Sequence, residues 1–263
     1  MLLTSVIIIL RETLEAAALI AILLALGRRH GMRVGWSGFA AAFGLLGAGL
    51  MSHGYAELSE WFDGVGYEVV NASLQLAIYL LIVAVIWQLA TRRAAAPAAL
   101  MASMAAAVAL AMAREGSEIL LYAGSVGLGN AQGRQLLLGA LIGGAIGLSI
   151  GVAFYYLLLA FPADRSRRVG LGLLLIFGAG MCGQAAMLLI QADWLPNQPS
   201  MWDSSGWLPE SSVAGQLLYA LVGYEATPST VQVAIYAGAL LIGLLAILLG
   251  HLSRRPQGVQ DAI

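Results

Sequence analysis

This sequence contains no lysine, three histidines, one cysteine and few charges of either sign. Charged residues are 10% of the 263 and hydrophobic ones 60%. A soluble domain carries about 25% charged residues, so that class is excluded, and with a net charge of −1 no nucleic-acid partner is expected. The lone Cys182 cannot form an intrachain disulfide and, in an apolar run, reads as a small packing residue. Met1-Leu2-Leu3-Thr4 supplies no positive segment, and the apolar run behind it is broken by Arg11, Glu12 and Glu15. A cleaved signal peptide is therefore not expected, and the run reads as a retained first helix. That all 13 basic residues are arginine is a matter of composition and carries no functional weight.

What is present is a series of apolar runs long enough to cross a bilayer, at roughly 2–27, 34–52, 69–90, 98–124, 135–160, 169–191 and 231–250. The spacing predicts an all-α, polytopic membrane protein with seven transmembrane helices. Between Gln191 and Thr230, Pro196, Pro199, Pro209 and Pro228 interrupt a Trp- and Ser-rich connection, with a short amphipathic or re-entrant helix predicted over Ser212–Val222. Arg28, Arg29, Arg33, Arg92, Arg93, Arg165, Arg167, Arg168, Arg254 and Arg255 all follow odd-numbered spans. The positive-inside rule makes their side cytoplasmic, so the N-terminus is expected outside and the C-terminus inside the cytoplasmic membrane. The opposite face carries Glu57, Glu60, Asp63, Glu68, Asp193, Asp203, Glu210 and Glu225 against Arg134.

Two of the spans are charged where a bilayer is least tolerant. Arg11-Glu12-Thr13-Leu14-Glu15 and Arg114-Glu115-Gly116-Ser117-Glu118 repeat one R-E-x-x-E pattern 103 residues apart. Each such charge costs roughly 3 kcal/mol near the membrane centre. With span one running inward and span four outward, the pair points to a 3+3 inverted repeat. The chain then divides, within a single transmembrane domain over 1–263, into three-helix repeats at 1–90 and 91–191, an extracytoplasmic loop at 192–230, and a seventh helix with cytoplasmic tail at 231–263. Inverted repeats place substrate near the midplane, where the repeats meet.

At about 100° per residue, Arg11, Glu15 and Glu12 share one helix face, as do Arg114, Glu118 and Glu115. Each Arg is spaced to pair with the Glu four residues on, and Gly116 and nearby Ala allow close approach of the two helices. Four carboxylates could then surround one site. Glu12, Glu15, Glu115 and Glu118 are the expected metal ligands, with Arg11 and Arg114 as supporting charges. An all-oxygen donor set suits a hard cation. A structural ion pair would account for one Arg and one Glu per helix but not for the third charge. Two arginines against four glutamates leave two negative charges that bound protons or a cation must compensate. The acidic stretch Glu57, Glu60, Asp63 and Glu68 could collect cations outside, or simply be a solvated face. His30 and His251 read as interfacial, and His53, beside the acidic stretch, as a residue that could touch substrate. Gln75, Gln88, Gln184, Gln191, Tyr79, Tyr155 and Tyr156 read as interhelical hydrogen-bonding groups, some of them lining a path. Asn71-Ala72-Ser73 fits a glycosylation sequon and is discounted.

These residues resemble a known family. The two motifs are similar to the paired R-E-G-L-E-type motifs of the oxidase-dependent iron permeases, the fungal high-affinity permease and its bacterial uptake relatives. The stretch Trp202-Asp203-Ser204-Ser205 and the tail Leu217-Leu218-Tyr219-Ala220-Leu221-Val222-Gly223-Tyr224-Glu225-Ala226-Thr227-Pro228-Ser229, with its G-Y-x-x-x-P-S ending, are also similar to the family's. The resemblance implies a non-enzymatic permease that carries iron as substrate and needs no cofactor. The four glutamates would be its iron ligands, and a ferroxidase or iron-binding partner outside the membrane would supply ferric iron. Thr13 and Ser117 depart from the usual motif, as does Ile190-Gln191-Ala192-Asp193 where some bacterial relatives have His-Glu. No large extracytoplasmic domain is expected before span one. Charge arithmetic alone suits a divalent cation as well, so a permease for lead or manganese is the alternative. An intramembrane glutamate protease would need a His at the centre of a span, and there is none.

Overall fold

The computed structural model describes residues 2–91, 97–126 and 131–252. Among them are nine helices: α1 Leu2–Arg29, α2 Gly35–His53, α3 Tyr55–Gly64, α4 Gly66–Thr91, α5 Pro97–Val126, α6 Ala131–Ala160, α7 Ala163–Gln191, α8 Val213–Val222 and α9 Thr230–Leu252. The described residues form no sheet; Ser200 and Ser229 make an isolated antiparallel bridge. This is the fold that a bilayer demands, since a helix satisfies its own backbone polar groups without water. Six helices, α2, α4, α5, α6, α7 and α9, are long and apolar enough to cross a membrane. The sequence predicted seven. The seventh, α1, has the length at 28 residues, but Arg11, Glu12 and Glu15 set it apart from the other six in composition.

Contacts between helices fix their directions. Along α6, Gly139, Gly143, Gly147 and Gly151 meet Ser5, Ile9, Thr13 and Ala17 of α1 in turn, so the two run parallel. Gly44 and Gly47 of α2 meet Met112 and Ala113 of α5, and Ala48 meets Gly116, again in parallel. The other pairings are antiparallel for α1 with α5 and α4 with α7, and parallel for α4 with α9. The seven long helices therefore alternate in direction. Arg28, Arg29, Arg33, Arg165, Arg167 and Arg168 gather at one end of the bundle, with Asp164, while α3, α8 and the 192–230 connection lie at the other with Glu57, Glu60, Asp63, Glu68, Asp193, Asp203, Glu210 and Glu225. Arg29 fastens the basic end by donating to the carbonyls of Leu159 and Phe161, 2.6 Å each. Arg92, Arg93, Arg254, Arg255 and the tail 253–263 lie outside the described residues.

Lipid-embedded helices gain little hydrophobic drive by associating, so small residues and close backbone contact must hold them together. The glycine stripe of α6 and the buried Ala40, Gly44 and Ala48 of α2 do this, while Phe39, Phe43, Leu46, Leu50, Leu137, Leu138 and Leu141 face outward. Registers match in the two pairings. Gly143 meets Ile9 and Gly44 meets Met112, each two residues before its motif arginine; Gly147 meets Thr13 and Ala48 meets Gly116, each the third motif residue. Towards the basic end the bundle is filled by Leu19, Leu23, Leu26, Ile78, Ile82, Ile86 and Leu174, all fully buried. Cys182 packs in a small cluster with Tyr79 and Ala239, as a small apolar residue should.

Glu57, Glu60 and Asp63 of the acidic stretch, which falls between predicted spans, lie on the short helix α3. Its turns break at Phe62 (φ 54°) and Asp63 (φ 63°), both left-handed, before α4 begins. The Phe62 ring meets Trp194 edge-on at 5.5 Å between centroids. The predicted helix over Ser212–Val222 is α8, started by the Ser212 hydroxyl accepting from the Gly215 N–H at 3.0 Å. It ends at Gly223, whose left-handed backbone (φ 68°) lies so close to Gly180 of α7 that no side chain fits at either position.

The packing makes a direct prediction. A methyl group at Gly143 would sit 2.5 Å from the Val6 carbonyl oxygen, whereas at neighbouring Gly144 it would meet nothing within 4 Å. Gly143→Ala is expected to destabilise the detergent-solubilised protein by about 1–3 kcal/mol, the usual effect of overpacking. Gly144→Ala should leave the melting temperature unchanged.

Candidate metal site

The two motifs face each other across the α1–α5 contact. Helical rotation puts all six charges on the facing sides, and the antiparallel pairing brings the start of one motif opposite the end of the other. Among the described residues, Arg11 pairs with Glu12, its Nε donating to Oε1 at 2.7 Å, and with Glu118 at 3.8 Å. Arg114 pairs with Glu115, with Glu118 at 3.2 Å and, across the interface, with Glu15 at 3.4 Å. The within-helix spacing expected to pair each Arg with the Glu four residues on does so for Arg114 and Glu118. Arg11 turns instead to Glu12 and Glu118, leaving Glu15 to the other helix.

Glu12, Glu115 and Glu118 each offer a carboxylate oxygen within 4.8 Å of the other two. Hard cations take oxygen ligands at about 2.0–2.6 Å, so two ligands on opposite sides of an ion lie roughly 4–5 Å apart. The cluster therefore has the dimensions of a cation site without further closure. Glu15 stands beside it, held by Arg114, rather than as a fourth member. Glu12, Glu15 and Glu115 are 1–2% exposed. One oxygen of each, Glu12 Oε2, Glu15 Oε1 and Glu115 Oε2, has no hydrogen-bond partner among the described residues. Buried carboxylate oxygens without partners are costly, and the two arginines cannot neutralise four glutamates. A cation or protons must complete the site.

A cavity of about 230 Å³ adjoins the cluster. Arg11, Arg114 and Glu118 form one wall; Tyr67, Asn71 and Gln75, successive turns of α4, form another. Gln184, Met187 and Gln191 of α7, with Tyr219 of α8, close it. It extends from the ends of α4 and α7 nearest the acidic segments down two turns of α4, about 12 Å at 1.5 Å per residue. At its floor Gln75 Nε2 donates to Gln184 Oε1 at 2.7 Å. The Arg11 guanidinium lies 5.4 Å from the centre of the Tyr219 ring. Gln184 and Tyr219 also line a second cavity of about 240 Å³, with Trp202, Tyr224, Glu225 and Tyr236, at the acidic end. There Gln232 donates to Glu225 at 2.5 Å, and burial together with nearby Glu210 raises the Glu225 carboxyl above the usual carboxylate range. The two stretches singled out by the family resemblance meet here. Met201 N–H donates to the Pro228 carbonyl at 2.8 Å, Ser204 N–H to that of Ala226 at 2.9 Å, and the Ser204 and Tyr224 hydroxyls are 2.7 Å apart.

The remaining sequence expectations fall apart from the cluster. Glu57, Glu60 and Asp63 are exposed on α3, and Glu68 is half-buried in the first turn of α4. His30 lies at the end of α1, its Nδ1 2.8 Å from the Leu26 carbonyl, and His53 and His251 are exposed near helix ends. None of the three joins the carboxylates. Asn71 is 1% exposed within α4, so its sequon is not presented for glycosylation. Sequence reasoning missed Tyr67, Asn71 and Tyr219 as cavity residues. For the first two the available signal was spacing, since Tyr67, Asn71 and Gln75 recur every fourth position in an apolar helix. For Tyr219 the signal was its place in the tail segment that resembles the family's.

No protein-family model, curated protein or solved structure matches this chain. Function must be argued from the site itself.

The ion pairs predict an asymmetry between the two arginines. Arg114 is buried and touches three glutamates, whereas the Arg11 side chain is 28% exposed. Arg114→Leu should destabilise the protein by about 3–5 kcal/mol, the penalty for stranding buried charge, and Arg11→Leu by clearly less. Adding Glu115→Gln to Arg114→Leu should recover part of the loss in thermal unfolding.

Proposed function

We propose that this protein is a metal-cation permease of the cytoplasmic membrane, with iron as its substrate, carried through the site formed by the two R-E-x-x-E motifs. The observation that carries the proposal is the cluster of Glu12, Glu115 and Glu118, with partnerless oxygens at its heart, beside a polar cavity. A purely architectural cluster would balance its charges; this one keeps an excess of carboxylate. Oxygen donors without thiolate or imidazole favour a hard cation over zinc or copper. The step from hard cation to iron rests on the family resemblance, which also supplies the expectation of ferric iron delivered by a ferroxidase or iron-binding partner outside the membrane. The protein acts as a carrier and not as an enzyme.

In this reading α1 is the seventh span, since its charged face is turned to the motif of α5, with Glu15 paired to Arg114 and Arg11 reaching Glu118 as well as Glu12. The N-terminus is outside, and the basic end of the bundle is cytoplasmic. The matched registers of α1–α6 and α5–α2, with α4 and α7 crossing at Gln75–Gln184, support an inverted repeat of three helices. Cations gather at the acidic outer face, pass the polar cavity and exchange water for the carboxylates. Release to the cytoplasm then requires the apolar packing around Leu19, Leu23, Ile78 and Ile82 to part.

One observation favours a second reading. The cluster's excess of two negative charges matches a divalent cation, and manganese or lead would satisfy it.

Uptake of radioactive iron into proteoliposomes tests the proposal. Glu12→Gln, Glu115→Gln and Glu118→Gln, each at normal protein level, are expected to lower uptake at least about tenfold, the usual scale for disturbing a metal site. Glu15→Gln should act more weakly. Full uptake in all three would remove the site from the pathway, and stronger competition by manganese or lead than by iron would select the second reading.

A further inference from the structure

Of the side chains lining the inner cavity, one is buried with both of its polar atoms unpaired among the described residues. Asn71 is 1% exposed, and neither its Oδ1 nor its Nδ2 has a hydrogen-bond partner. Because both atoms are unpaired, the point does not depend on which of them is oxygen. An asparagine kept in a membrane helix for structure bonds to a neighbouring helix. Gln75, one turn further along the same face, does so through Gln184. Asn71 does not. The Tyr67 hydroxyl lies close enough to feel the amide, but without the geometry of a hydrogen bond. An unpaired buried amide costs about 1–3 kcal/mol, so a polar occupant of the cavity must meet it.

The cavity sets what that occupant is. Asn71 lines it together with Glu118, the most exposed member of the carboxylate cluster. An amide carbonyl is a neutral hard donor of the kind that binds calcium-like cations alongside carboxylates. It replaces a water ligand without adding to the cluster's negative charge. We infer that Asn71 is a cation ligand at the mouth of the cluster, its side-chain carbonyl taking the place of a water molecule as the metal passes to Glu118. The inference rests on the permease reading and adds a residue to it that no charge pattern marks.

The experiment compares the wild type, Asn71→Leu, Asn71→Asp and Glu118→Gln in proteoliposomes, with iron and manganese as separate radioactive probes and melting temperature measured alongside. Asn71→Leu, which removes an unpaired polar group, should keep the melting temperature and raise the half-saturating metal concentration about tenfold. Asn71→Asp, which restores an oxygen but charges it, should lower the half-saturating concentration and also the maximal rate. Unchanged half-saturation in both Asn71 variants, while Glu118→Gln still loses uptake, would overturn the role of Asn71 and leave the permease reading standing. A lowered melting temperature in Asn71→Leu with wild-type kinetics in Asn71→Asp would likewise overturn it, as a purely structural residue. Failure of the wild type to carry either metal would remove the reading and the inference together.

Discussion

Two charged clusters buried against each other, on helices that run in opposite directions, dictate the rest of the structure. Alone, α1 or α5 would expose an arginine and two glutamates to lipid, at several kcal/mol per charge. Facing each other, Arg114 reaches across to Glu15, and Glu118 lies between both arginines. That contact needs the motifs in antiparallel register and needs both helices held rigidly from behind. The glycine stripe of α6 grips the back of α1 and the small-residue stripe of α2 grips the back of α5, at equivalent positions. The fold is a clamp on one electrostatic contact, and what the contact leaves uncompensated is an excess of buried carboxylate.

The site is asymmetric although its motifs repeat. Arg114 is buried and its two terminal nitrogens meet three carboxylates, with Nε unpaired among the described residues; Arg11 is partly exposed and lies against Tyr219 on the short helix α8. The polar cavity opens on one side of the cluster, while the other side is tightly packed Leu and Ile. A cation could reach the carboxylates from the acidic end and not from the basic end in this conformation. The connection between α7 and α9 belongs to the site for the same reason: Gly223 docks on Gly180, and this sets Tyr219 between the two cavities.

Much of this was legible in the sequence. The length of the apolar runs gave the helices, the Ser-capped apolar stretch at 212–222 gave α8, and the duplicated motif gave the facing clusters. What the sequence could not settle was partner choice. Arg11 has Glu15 one helical turn away and Glu12 next to it, and side-chain rotamers together with the neighbouring helix decide between them. Glu15 therefore joins Arg114 instead of completing a ring of four carboxylates. The acidic stretch at 57–63 lies between apolar runs and is too polar to read as a span, so the short helix α3 and the left-handed turn at Phe62 and Asp63 that ends it went unmarked. Asn71 was visible as half of a sequon, but its burial in the cavity that Glu118 also lines exists only once α4 is packed against α5 and α7.

The central claim is that a metal ion sits among Glu12, Glu115 and Glu118. It is tested most directly by crystals of the purified protein grown with iron and measured at the iron absorption edge. The account predicts one anomalous peak per chain, within coordination distance of oxygens from those three side chains. A peak confined to Glu57, Glu60, Asp63 and Glu68, or to Glu225, with none between the two motifs, would contradict it.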